Sequence, residues 1–96
     1  MMTVLAKIVL PLIMDERTRY APGYREEAFH AVKRGASEAT VRAQLGEPLA
    51  RHSSPDGETV WYYSQQATGT DNYHLRNVVL DRRGTVVRKV SEFYID

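Results

Sequence analysis

The 96-residue sequence contains no cysteine. That excludes a disulfide framework, a thiolate metal site and a cysteine nucleophile, so folding must rest on packing and hydrogen bonding. Charge of one sign is scarce too. Thirteen Lys and Arg against 12 Asp and Glu leave a formal net charge of +1, too small for a field that gathers phosphate backbones or anionic lipid. Nucleic acid is therefore not an expected partner. No apolar run reaches the roughly 20 residues that a membrane span requires. The longest, Val4 to Met14, is interrupted by Lys7 and Pro11. A glycine-rich phosphate loop, a Gly-x-Ser-x-Gly nucleophile setting, internal repeats and low-complexity tracts are likewise missing.

What is present is the composition of an ordinary globular protein, with 43% hydrophobic and 26% charged residues. A chain this short encloses a single apolar core. Residues 1–23 read as an apolar arm followed by a linker, and residues 24–96 as the folded domain. For Val4 to Met14 three readings stand open: a strand or short helix of the core, an arm that docks on another subunit, or the remnant of a membrane anchor. Leu5, Ile8, Val9 and Leu12 fall at helical spacing, but Pro11 would interrupt that helix, so periodicity does not choose between them. The arm reading predicts self-association through Val4 to Met14, and the anchor reading predicts membrane proximity. Asp15 to Gly23 is polar and closes on Pro22-Gly23, a turn-forming pair, which suits a linker.

From Tyr24 the pattern turns helical. Glu26 and Glu27 open the first turn and Lys33 and Arg34 close the last, an order that complements the helix dipole, and Gly35 ends the segment. Ala28, Phe29 and Val32 form its apolar stripe. A second helix starts at Ser37, whose hydroxyl suits an N-cap, and stops at Gly46-Glu47-Pro48, with Val41 and Leu45 on one face. After Pro48 the period changes to two. Leu49 to Ser53 reads as a short edge strand, Ser54-Pro-Asp-Gly57 as a turn, and Glu58 to Ser64 as a strand rich in β-branched and aromatic residues. Gln65 to Asp71 reads as a loop. Asn72 to Asp81 and Thr85 to Ile95 form a hairpin about Asp81-Arg-Arg-Gly84. Helices first and hairpin-linked strands afterwards predict an α+β fold, with two short N-terminal helices packed on one face of a three- to four-stranded antiparallel sheet.

Gly35-Ala-Ser37, Val41, Leu45-Gly46-Glu47-Pro48, Trp61-Tyr62-Tyr63, Val78-Val-Leu-Asp81 and Gly84-Thr-Val86, in that order, resemble the SmpA/OmlA family of small bacterial envelope proteins, which includes the BamE subunit of the outer-membrane β-barrel assembly machinery. The resemblance covers about Phe29 to Val90. It implies a helix-helix-sheet domain that binds other proteins, a place in the cell envelope (periplasm or membrane-associated), a role in assembly, and no catalytic residue. The acylated cysteine of the family's lipoprotein members has no counterpart in this chain, and the cytoplasm stays open as a compartment.

The residues themselves point the same way. His30, His52 and His74 lie on a helix, a loop and a strand without ligand spacing, so no metal is expected. Adjacent carboxylates such as Glu26 and Glu27 diverge on a helix and do not converge on one substrate atom. The reading is therefore of a non-enzyme that needs no cofactor. Trp61, Tyr62, Tyr63 and Tyr73 are the best recognition candidates, because aromatic rings with polar tips are common interface anchors. Arg76 joins them as the neighbouring cation. Alternation puts Trp61 and Tyr63 on one face of their strand and Tyr62 on the other. Arg76, Arg82, Arg83, Arg88 and Lys89 make the last hairpin basic, which suits an acidic partner or guards an exposed sheet edge. The alternative function is an inhibitor or small-ligand binder that uses the cleft between helices and sheet, lined by Tyr63, Tyr73 and His74.

Overall fold

A computed structural model describes residues 18–67 and 72–94 of the chain. The fold is α+β, with two helices and two antiparallel sheets. The elements run β1 (Thr18–Tyr20), α1 (Glu26–Ala31), α2 (Glu38–Leu45), β2 (Ala50–Ser53), β3 (Thr59–Tyr62), β4 (Ser64–Gln66), β5 (Tyr73–Leu80) and β6 (Val86–Tyr94). The larger sheet has the order β2-β3-β5-β6, and β1 pairs with β4 in the smaller one.

The second helix and the turns form where local chemistry directs. Ser37 Oγ accepts from the Thr40 N–H at 3.2 Å and caps α2. Gly46 ends that helix at φ 75°, a left-handed conformation that glycine adopts freely, and its N–H donates to Arg42 O at 2.8 Å. Asp56 Oδ1 accepts from Ser54 Oγ and the Glu58 N–H, pinning the β2–β3 turn. Asp81 Oδ1 accepts from the N–H groups of Arg83 and Thr85 and does the same for the β5–β6 turn.

Four expectations are corrected. The first helix stops at Ala31, not at Gly35, so Lys33 and Arg34 lie outside its last turn. Val32 is buried and turns extended (φ −66°, ψ 128°). This lets the following residues reach β6, where Gly35 N–H donates to Val86 O and Val86 N–H to Ala36 O. The polar segment read as a linker contains a strand, Thr18–Tyr20, and Ala21 behind it belongs to the core. The segment read as a loop from Gln65 begins with β4, which pairs with β1 in the register Thr18↔Gln66 and Tyr20↔Ser64. The aromatic strand is also not continuous. It breaks at Tyr63, so that β3 and β4 serve different sheets. The apolar segment Val4 to Met14, the end of the predicted loop and Ile95 lie outside the described residues.

Register and alternation sort the larger sheet into two faces. Trp61 pairs with Val78, and Leu80 with Val86. These four belong to one core cluster with Phe29 and Val32, with Val41 and Leu45 of α2, and with Tyr63. Val60 pairs with Val79, and Tyr62 with Asn77, which in turn pairs with Val90. This second set shares the opposite face. Pro22-Gly23 runs so close to the end of α2 that a Cβ on Gly23 would meet Leu45 O at 3.0 Å and Gly46 Cα at 3.3 Å.

The cap on α2 predicts that Ser37→Ala lowers stability by about 1 kcal/mol and Ser37→Gly by a few tenths. Chemical denaturation of the two variants beside the wild type measures this, with the Ala variant expected to show the lower midpoint.

Candidate functional site

The five recognition candidates do not converge. Trp61 is 2% exposed and Tyr63 is fully buried, so both serve the core and offer no surface. Tyr62 is half-buried on the opposite face, and Tyr73 is half-buried at the start of β5. Arg76 lies on the face of β5 that carries Val78 and Leu80, with its side chain 11% exposed.

Trp61 is held from the side by two cations. The guanidinium carbons of Arg42 and Arg51 each lie 4.9 Å from the indole centroid. Glu47 bonds both, to Arg42 Nε at 2.9 Å and Arg51 Nη2 at 2.6 Å, and so holds the two like charges beside one ring. Tyr63 Oη donates to Gly46 O at 2.8 Å. Burial pushes its hydroxyl well above the ordinary tyrosine range, reinforced by the Glu47 carboxylate.

The densest polar cluster centres on Glu26 at the start of α1. Arg76 Nε donates to Glu26 Oε1 and Arg76 Nη2 to Oε2, each at 3.1 Å. This is the bidentate fork that suits a guanidinium and a carboxylate. Tyr24 Oη donates to Oε1, and His30 Nε2 shares a hydrogen bond with Oε2 at 3.0 Å. Burial raises the Glu26 carboxyl, but the hydrogen bonds from Arg76, Tyr24 and His30 outweigh it and bring the pKa down from 4.5 to about 2. Burial and the same carboxylate raise the Tyr24 hydroxyl above its usual range.

A cavity of about 380 Å³ opens beside this cluster, lined by Tyr20, Tyr24, Glu26, His74 and Arg76. The rings of Tyr20 and Tyr24 stack at 4.9 Å with 15° between their planes, and His74 lies 4.9 Å from the ring of Phe93. Tyr63 and Tyr73 do not line it, so the cleft expected from the sequence has different walls. The lining offers two aromatic rings, one ion pair and one imidazole. Among the described residues no group of three His, Cys, Asp or Glu side chains could hold a metal ion, and no helix is long and apolar enough to cross a membrane.

Sequence reading missed Tyr20, Tyr24 and Glu26 as site residues. The polar surroundings of Thr18-Arg-Tyr20 masked a three-residue strand whose only sequence signal was Thr18 and Tyr20, two residue types that suit strands, on either side of Arg19. Glu26 and Arg76 lie 50 residues apart, beyond the reach of any local pattern. Compared with known proteins, the chain matches no family model and no curated protein sequence.

The Glu26 cluster has a pH signature. A carboxyl whose folded pKa is lowered stabilises the fold above its unfolded pKa, and that contribution is lost as the pH falls through the folded value. For Glu26 the window runs from 4.5 down to about 2. Glu26 is half-exposed, so solvent screening keeps the contribution to about 1 kcal/mol. Glu26→Gln is expected to lower the melting temperature at neutral pH and to narrow its gap from the wild type as the solution is acidified through this window. A constant gap across the pH series would remove the assignment.

Proposed function

We propose that this chain is a protein-binding or assembly module of the bacterial cell envelope. In this reading α1 and α2 lie across the face of the larger sheet that carries Trp61, Val78, Leu80 and Val86, and the opposite face receives the partner. The single observation that carries it is the make-up of that opposite face. Val60, Tyr62, Leu75, Val79 and Val90 share it by register; Val79 is buried, and the other four are only half-buried and lie outside the core cluster. An antiparallel sheet apolar on both faces needs cover on both. Asn77, the register partner of Tyr62, is 7% exposed, and its Oδ1 has no hydrogen-bond partner among the described residues. A buried amide oxygen left unpaired costs about 1–3 kcal/mol, which rotation toward a partner's donor would relieve. Tyr62 and Tyr73 are the ring anchors on this side. Arg76 faces the other way and acts on the fold.

The order of motifs from Phe29 to Val90 supports the same reading through its resemblance to the SmpA/OmlA family, whose members bind other envelope proteins. A place in the periplasm or at a membrane surface follows from that resemblance.

The second reading is a small-ligand or inhibitor domain, favoured by the 380 Å³ cavity beside Glu26 and Arg76. It is the weaker of the two. Both Glu26 oxygens and most Arg76 donors are already engaged within the chain, so a polar ligand would have to break bonds in order to make them.

Tyr62→Ala is expected to abolish capture of a partner from the envelope fraction while changing stability by no more than about 1 kcal/mol, since a half-buried ring outside the core cluster loses little packing. Glu26→Gln should leave capture intact. Capture abolished by Glu26→Gln and unaffected by Tyr62→Ala would transfer the site to the cavity.

A further inference from the structure

The long edge strand of the larger sheet presents backbone groups that the described residues leave open, and the geometry points to a second copy of this chain as the partner that pairs with them. This contact lies at the sheet edge. It adjoins the partner-binding face, which also carries Val90, but uses backbone groups that face does not and so does not depend on it.

Which backbone groups point outward follows from one hydrogen bond. Tyr63 N–H donates to Arg76 O at 2.9 Å, so the even-numbered residues of β5 direct their N–H and C=O toward β3. In an antiparallel ladder successive residues alternate in this respect. Leu75, Asn77 and Val79 therefore face β6, and their register partners Glu92, Val90 and Arg88 face back. Lys89 and Ser91 are left with N–H and C=O groups directed away from the sheet. The register shift beside Val79 and Leu80, where Val79 pairs with Arg88 and Leu80 with Val86, leaves Val87 as an extra residue. The start of the edge is already covered: Gly35 N–H donates to Val86 O, Val86 N–H to Ala36 O, and Arg34 Nε to Val87 O. From Arg88 onward no such cover occurs among the described residues.

Natural edges are commonly guarded by a lysine or arginine pointing along the exposed side, or by being short. The other edge strand, β2, is only four residues long. On β6 the expected guards are spent elsewhere. Lys89 Nζ donates to Phe29 O at 2.9 Å and His30 O at 3.0 Å, at the carbonyl end of α1. Arg88 is bound to Glu58 through both terminal nitrogens. The expectation that these two cations guard the edge is thus corrected by where their side chains go.

Charge selects the partner and the register. If two β6 strands pair antiparallel about a two-fold axis at Val90, Lys89 meets the partner's Ser91 and the outward backbone groups of both are matched. In the same register Arg88 lies opposite the partner's Glu92, and Glu92 opposite the partner's Arg88; the Glu58 pair takes the two terminal nitrogens of Arg88 and, among the described residues, leaves Nε for the second carboxylate. Val90 meets its own copy, and Phe93, 49% exposed, falls opposite the partner's Val87. Glu92 makes no ion pair within its own chain among the described residues, so the acidic half of the charge pair is available. Moving the axis by one residue to Lys89 would set two lysines against each other, and moving it to Ser91 would set Val90 against Glu92. Cross-strand pairs of opposite charge and of apolar side chains each favour pairing, whereas like charges oppose it. A two-fold contact of one strand with itself is the isologous interface that a closed dimer requires.

The test is sedimentation of the full chain over a concentration series, with three variants. The wild type is expected to move from 11.0 kDa toward twice that mass as concentration rises. Ser91→Pro removes an outward N–H without touching the β5 ladder, a position where an edge strand tolerates proline. It should hold the chain at monomer mass with its melting curve intact. Glu92→Arg and Arg88→Glu should each be monomeric alone, and an equimolar mixture of the two should regain the dimer mass, because the opposed charges are complementary again. A wild type that stays monomeric throughout overturns the inference. So does a dimer that survives both Ser91→Pro and Glu92→Arg, which would place association on another surface. Neither result bears on partner capture through Tyr62.

Discussion

Tyr63 ties together three parts of the chain that have no local reason to meet. Its N–H donates to Arg76 O on β5, its carbonyl accepts from the Ala21 N–H behind β1, and its hydroxyl donates to Gly46 O at the end of α2. The residue is fully buried, so losing one of these bonds would strand one of its polar groups at a cost of about 1–3 kcal/mol. The chain cannot continue straight through this point. β3 ends at Tyr62 and β4 begins at Ser64, and that break lets one stretch of sequence belong to two sheets. The smaller sheet, the approach of Pro22-Gly23 to Gly46 and the hydrogen-bond phase of β5 all follow from how Tyr63 is held.

The phase of β5 then divides the molecule's work. Its even-numbered side chains, Arg76, Val78 and Leu80, go to the Glu26 cluster and the core. Its odd-numbered side chains go to the face proposed for a partner, while their backbone groups bind β6 and so leave Lys89 and Ser91 at the rim. Magnitudes separate structure from recognition at the aromatic strand. Burying Trp61 removes a large apolar surface from water, worth several kcal/mol at about 25 cal/mol per Å². The flanking guanidinium contacts add about 0.5–2 kcal/mol each at most. The ring's main role is packing, and Arg42, Arg51 and Glu47 form a polar collar around it. Tyr62, one residue on, has neither the burial nor the collar.

The proposed function draws on two different features, the resemblance to envelope proteins and the apolar side chains on the second face of the sheet. The first rests on an order of caps, strands and turns, and the second on which side chains register sets opposite the core. The cavity beside Glu26 is more polar and more fully satisfied. An ion pair whose guanidinium is largely buried and whose carboxylate has four donors is better suited to fasten α1 to β5 than to exchange partners with a ligand.

Much of this fold was legible in the sequence, because many of its signals act over a few residues. The hydroxyl of Ser37 and the glycine at 46 bound a helix within their own neighbourhood. Asp56 and Asp81 fold turns onto their own backbone, and period-two alternation separates Tyr62 from Trp61 and Tyr63. What the sequence could not say is which side of that alternation would be covered. Trp61 and Tyr63 looked as suitable for recognition as Tyr62, since a large aromatic serves a core or an interface equally well. Only packing against Phe29, Val41 and Leu45 decided it. The β1–β4 pairing, the Glu26–Arg76 fork and the capture of Lys89 by the end of α1 join residues roughly 45 to 60 positions apart. Such contacts leave no periodic trace in either partner, so tertiary structure alone determines them.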